Sequence, residues 1–231
     1  MRSAGCIVND IVDRKYDKKV KRTKNRPIAS GKISVKLALF YSFALCFLAF
    51  LVLLNFNLFT IILALGSMPL AFTYPLMKRF TYWPQLFLGI TFNYGLILGW
   101  TAIHGQLDLA PILFYFGAIF WTLGYDTIYG YQDIKDDEII GLKSTSIKFK
   151  KQPYLFLFSC YSIYLISLFF IVYLMKLNYF SIIIFVFATF QMYFFQLKKL
   201  EINDPSSCIK TFKSNNFLGL IILLGLILGK I

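Results

Sequence analysis

Eight of the eleven carboxylates in this 231-residue chain fall in two short stretches. Residues 9–17 read NDIVDRKYD and carry Asp10, Asp13 and Asp17. Residues 125–145 read YDTIYGYQDIKDDEIIGLKST and carry Asp126, Asp133, Asp136, Asp137 and Glu138. Asn9, Asp13 and Asp17 stand at i, i+4 and i+8, which is one face of a helix. Asp126, Tyr129, Asp133 and Asp137 follow offsets of 0, 3, 7 and 11, and a continuous helix makes these a second stripe.

Facing carboxylate stripes repel each other unless a cation lies between them. Hard oxygen ligands suit Mg²⁺, which binds through one or two carboxylates and keeps places for water and phosphate oxygens. Lys and Arg crowd the same stretches, which suits a phosphate-bearing ligand. One acid cluster at a helix end is ordinarily a solvated cap. Two clusters in a chain otherwise short of acids argue instead for a metal–diphosphate centre.

The elements that hold these stripes are apolar. The chain is 58% hydrophobic, with 26 Phe, 15 Tyr and a mean hydropathy of +0.66. A soluble fold of this length has too little interior for that surface. A bilayer supplies the missing environment, and about 20 apolar residues make a helix that crosses it. Seven segments qualify: 35–54, 58–76, 85–103, 109–131, 153–175, 179–197 and 214–229. The expectation is an all-α polytopic transmembrane helical bundle forming one domain over residues 1–231. A substrate with a charged head and a long apolar tail fits such a frame.

Basic residues alternate from loop to loop. Twenty-one of the 24 lie in 14–36, 78–79, 132–152 and 198–213, all on one side of the membrane. Positive loops stay in the cytoplasm, so both acid blocks are expected to face it, with a bacterial inner membrane as the location. The net charge of +13 is then topogenic, and the chain shows no nucleic-acid recognition motif. His104 is the lone histidine and reads as a surface residue, which argues against a His-based metal site or a Ser-His-Asp triad. Cys6, Cys46, Cys160 and Cys208 show no CxxC spacing. No cleavable signal peptide is visible. A transporter is the alternative class, but it places ionisable groups near the bilayer midplane, and these span centres are nearly free of charge. Asn93 in the third span reads either as a pocket residue or as an interhelix hydrogen bond.

NDIVDRKYDKKVKRTKNRPIASG resembles the first Asp-rich motif of the UbiA intramembrane prenyltransferases, N-D-x-x-D-x-x-x-D with a trailing R-P-[IL]-x-S-G. DTIYGYQDIKDDEIIGLKST resembles the second, with D-x-x-x-D at Asp133 and Asp137. Residues 73–95, TYPLMKRFTYWPQLFLGITFNYG, resemble the stretch between the motifs, and 208–225, CIKTFKSNNFLGLIILLG, the C-terminal helix. DTIYGYQD and YPLMKR are most similar to the branch of the family that acts on 4-hydroxybenzoate in ubiquinone synthesis. The resemblance covers essentially the whole chain.

The resemblance implies Mg²⁺ as cofactor, with polyprenyl diphosphate and 4-hydroxybenzoate as substrates. The prenyl group would join the ring ortho to the hydroxyl by ionisation and electrophilic aromatic substitution, and other aromatic acceptors are an alternative. Asp13, Asp17, Asp133 and Asp137 are expected to be catalytic and, with Asn9, to hold the metal. Asp10, Asp126, Tyr129 and Arg79 are expected to bind substrate, as are Lys21, Arg22, Arg26 and Lys143, for which a solvated topogenic charge is the competing reading. Lys78 reads as a plain membrane anchor.

Residues 1–8 resemble the end of the family's second helix, and the first helix and most of the second have no counterpart. Eight residues make a stub of about 12 Å against a hydrocarbon core of ~30 Å. A misassigned start, a separate chain supplying the missing helices, or a decaying gene each account for this, and the chain as written is expected to be weakly active or inactive.

Overall fold

The computed structural model describes residues 2–20 and 23–231. Among these the regular structure is all helical: α1 (Arg2–Asp17), α2 (Val35–Leu53), α3 (Leu58–Thr73), α4 (Met77–Phe80), α5 (Pro84–His104), α6 (Leu109–Tyr131), α7 (Ile134–Ile140), α8 (Thr145–Lys148), α9 (Pro153–Leu174), α10 (Tyr179–Phe190) and α11 (Pro205–Leu228). A 3₁₀ turn, Tyr74–Leu76, joins α3 to α4, and a π-helical stretch, Gln191–Leu197, continues α10.

Seven helical units are long and apolar enough to cross a membrane: α2, α3 through α4, α5, α6, α9, α10 with its π-helical extension, and α11. They are the seven segments expected from hydropathy. The last begins at Pro205 instead of 214. Asp204 caps it, its carboxylate accepting the N–H groups of Ser206 and Ser207 at 3.0 Å each. The turns PSSCIKTFK are polar, so hydropathy passes over them. Ser34 and Asn57 cap α2 and α3 in the same way, and Pro84 and Pro153 stand in the first turns of α5 and α9.

The outward faces carry exposed rings such as Phe43, Phe80 and Phe217, as lipid-facing surfaces do. The interior is organised around α6, which packs against α5, α9 and α11. Lipid tails are as apolar as Leu, so close packing has to come from small residues. A Cβ on Gly124 would sit 2.7 Å from the ring of buried Tyr161. Trp121 stacks on Tyr164 at 5.1 Å between ring centroids. Of the two readings of Asn93, the interhelix bond is the one seen: its Nδ2 donates to Ala118 O at 3.1 Å and Thr122 Oγ1 at 2.7 Å on α6. His104 is exposed and stacked on Trp100. The 16-residue α1 lies against α2, where Ala4 and Ala38 are buried and Ser42 Oγ donates to Ala4 O at 3.5 Å.

Candidate active site

A cavity of about 310 Å³ opens where α1, the 3₁₀ turn, the start of α5, the end of α6 and α7 meet. Nine of the sequence candidates line it: Asn9, Asp13, Asp17, Arg26, Asp126, Tyr129, Asp133, Asp137 and Lys143. The two acid blocks, more than a hundred residues apart in sequence, form its facing walls. Asp10 and Arg79 do not line it. Lys21 and Arg22 lie outside the described residues.

The first wall is one continuous helix, so the i, i+4, i+8 register places Asn9, Asp13 and Asp17 on one face. Asp13 is 2% exposed and pairs with Lys78; Arg79 Nη2 lies 3.7 Å from its other oxygen. That oxygen, Oδ1, is buried and accepts no hydrogen bond among the described residues. Burial pushes the Asp13 carboxyl above the usual carboxylate range, against the opposing pull of Lys78. Arg26 Nη1 bridges Asp10 at 3.0 Å and Asp17 at 3.1 Å, and burial likewise raises Asp10 against the pull of Arg26. Arg79 donates to Val12 O at 2.8 Å and lies 5.1 Å from the Tyr16 ring centre. It therefore grips α1 by its backbone and by Asp13.

The second wall departs from the expected stripe. α6 ends at Tyr131, and Asp133 has non-helical φ −108° and ψ 4° as the N-cap of α7. Asp126 and Tyr129 thus ride on α6 while Asp137 rides on α7, and the break turns all four toward one space. Gly141, at φ 77°, ends α7 in a left-handed conformation that a side chain would strain. Leu142 N–H then donates to Asp137 O at 2.9 Å. The following segment is pinned inside the protein: Thr145 N–H donates to Gln85 Oε1 at 3.0 Å, and Ser146 Oγ to Thr127 O at 2.8 Å. Lys143 ties back to the α3–α4 region, its N–H donating to Lys78 O at 2.8 Å and its Nζ to Phe80 O at 3.2 Å.

Sequence reasoning missed Lys78, which lines the cavity and neutralises Asp13, and also Tyr16, Tyr74, Gln85 and Ser144. Nothing in local spacing marks them, because their partners lie far along the chain. The donor set for a metal is entirely hard oxygen, and Asp13 Oδ1 is a buried acceptor still to be filled. Among the described residues no three acids converge into a ready-made cage. It is the oxygen chemistry of the donors that fits Mg²⁺, whose shell also takes waters and phosphate oxygens.

Residues 1–221 match the UbiA prenyltransferase family. The bovine protein named 4-hydroxybenzoate polyprenyltransferase, mitochondrial, is 46% identical over all of this chain and 62% of its own length. The Dictyostelium discoideum protein of the same name is 42% identical over all of this chain and 50% of its length. The chain thus spans less than two thirds of these relatives. A UbiA homolog from Aeropyrum pernix K1 superposes with a TM-score of 0.79 at 22% identity, over 100% of this chain and 86% of that one. A UbiA homolog from Archaeoglobus fulgidus, solved with GPP and Mg²⁺, gives 0.72 at 20% identity, over 99% of this chain and 83% of that one. The relatives' names are mitochondrial, where the sequence led us to expect a bacterial inner membrane; what stands is an integral membrane protein.

Proposed function

The chain belongs to the UbiA prenyltransferase family, and from that membership we propose that it transfers a polyprenyl group from polyprenyl diphosphate to 4-hydroxybenzoate, ortho to the hydroxyl, in ubiquinone synthesis. The observation that carries this reading is the single cavity walled by both Asp blocks. The names of the 42–46% identical relatives support the acceptor, and the GPP and Mg²⁺ bound to the archaeal homolog support the donor and cofactor.

In this reading Asn9, Asp13 and Asp17 on one wall and Asp133 and Asp137 on the other hold Mg²⁺, one or two of the carboxylates directly and the rest through the waters of its shell. When bound, the metal neutralises the diphosphate and improves it as a leaving group. Arg26, Lys78 and Lys143 meet the remaining negative charge, which grows as the C–O bond breaks. Pyrophosphate leaves, the allylic carbon bonds to the ring carbon beside the phenol, and that carbon then loses its proton. The rings of Tyr16, Tyr74 and Tyr129 line the same space and offer their π faces to the developing cation. Lys78 releases Asp13 when a metal takes its place, so the resting ion pair keeps a buried carboxylate charged and ready. By the distribution of basic loops the site opens on the side of the membrane that carries them.

The test is product formation. Membranes holding the chain, given Mg²⁺, a prenyl diphosphate and 4-hydroxybenzoate, should yield a small, detectable amount of ring-prenylated acid by mass spectrometry, and Asp133→Ala should abolish it. Product that survives Asp133→Ala overturns the site. Product with another phenol but none with 4-hydroxybenzoate overturns the acceptor.

A further inference from the structure

A second cavity, of about 720 Å³, lies between the π-helical stretch after α10 and the first half of α11. None of the Asp-motif residues lines it. At one end it is apolar, with the exposed rings of Phe187, Phe195 and Phe217. On a bundle that crosses a membrane, such a face meets acyl chains. At the other end it is charged, with exposed Lys199 and Lys210 beside Glu201 and Asp204. Lys199 Nζ sits 4.5 Å from the Phe195 ring centre, so the cation hangs over the cavity wall. Asp204 is occupied in capping α11, which leaves two cations and one carboxylate to face a ligand.

The wall also holds an unmet demand. Gln191 is 6% exposed, lines the cavity, and its Oε1 has no hydrogen-bond partner among the described residues. A buried acceptor without a donor is costly, so a donor belongs there. Gln191 is also the first residue of the π-helical stretch, a winding that is rare and recurs at functional sites.

We propose that this cavity binds a bilayer phospholipid with an amino headgroup. Its phosphate lies between Lys199 and Lys210, its ammonium donates to Glu201 and the orphaned Oε1 of Gln191, and its acyl chains run along the three rings. The charge pattern selects this occupant: a phosphate alone leaves Glu201 and Gln191 unmatched, and a trimethylated headgroup has no N–H to give them. The proposal does not rest on the prenyl-transfer reading.

The full-length chain in detergent, offered phosphatidylethanolamine and phosphatidylcholine at equal concentration, tests it by native mass spectrometry. Phosphatidylethanolamine should be retained at least about fivefold more, the ratio that one charge-assisted bond of about 1 kcal/mol gives. The double variant K199A/K210A, altered only at exposed positions, should lose that retention. Gln191→Leu should lose the preference between headgroups while keeping the fold, as read by its melting temperature. Equal retention of both lipids, or a preference unchanged in both variants, means annular lipid only and overturns the proposal. Displacement by millimolar inorganic phosphate overturns the lipid assignment in favour of a free-anion site.

Discussion

The two acid blocks face each other across one cavity and are held there by different forces. The first sits on α1, and its carboxylates are placed by cations: Lys78 and Arg79 for Asp13, Arg26 for Asp10 and Asp17. The second rises from α6, the helix at the centre of the bundle, and is placed by backbone: a helix break at Asp133, a left-handed Gly141, and a pinned 144–146 segment. Charge positions one wall and packing positions the other. Electrostatic perturbations should therefore act on the first block and steric ones on the second.

The largest effects test what the walls share. Asp13→Asn and Asp137→Asn should each lower turnover by about 10²-fold or more, the scale seen when one group stabilising the transition state is removed. Their stabilities should differ. Asp13→Asn relieves a buried charge, so its melting temperature should hold or rise, and a clear fall would show that the ion pair with Lys78 outweighs burial. Next comes Lys78→Ala, which strands the Asp13 charge and should cost about 2 kcal/mol, below the range for a fully buried pair because Lys78 is partly exposed. Adding Asp13→Asn should return most of that loss in a denaturation cycle; simple additivity would sink the coupling. On the second wall, Gly130→Ala aims a Cβ at the Ser146 hydroxyl, and Ser146 is buried and bonded to Thr127 O. It should cost about 1–3 kcal/mol and be insensitive to salt, whereas the Lys78→Ala loss should change with ionic strength.

The smallest expected effect is the pH dependence that Asp13 contributes. The Asp13 carboxyl is raised by burial, so the folded state binds its proton more tightly than the unfolded state does. Its contribution to stability therefore falls as pH rises from the ordinary carboxylate range through the raised value, and is level above it. Mg²⁺ competes with that proton, so metal affinity should climb over the same window. Asp13→Asn should flatten the climb in a calorimetric titration; a profile unchanged by it would assign the proton elsewhere.

The seven spans were legible because length and apolarity alone define them. The first Asp stripe was legible because it lies within one helix and needs only the 3.6-residue period. The start of α11 was hidden by polar turns that follow a cap, and the break between α6 and α7 by a Gln132-Asp133 pair that carries no Gly or Pro signal. Lys78 was hidden most completely. Its partner Asp13 lies 65 residues away, and the sequence marked it only as a membrane anchor. Arg79 in turn was expected at the substrate; it clamps the Val12 carbonyl and stands 3.7 Å from Asp13 Oδ1.

Lys78 touches both walls at once. Its side chain pairs with Asp13, and its carbonyl accepts the N–H of Lys143, in the segment that follows α7. A ligand that draws the ammonium away from Asp13 therefore tugs on the peptide unit that anchors the opposite wall. In the proposed reading the cation and the diphosphate share a single lever, and by linkage each changes the other's binding by the same factor. The site would behave as a two-key lock: either key alone turns it weakly, and neither is wasted on an empty partner.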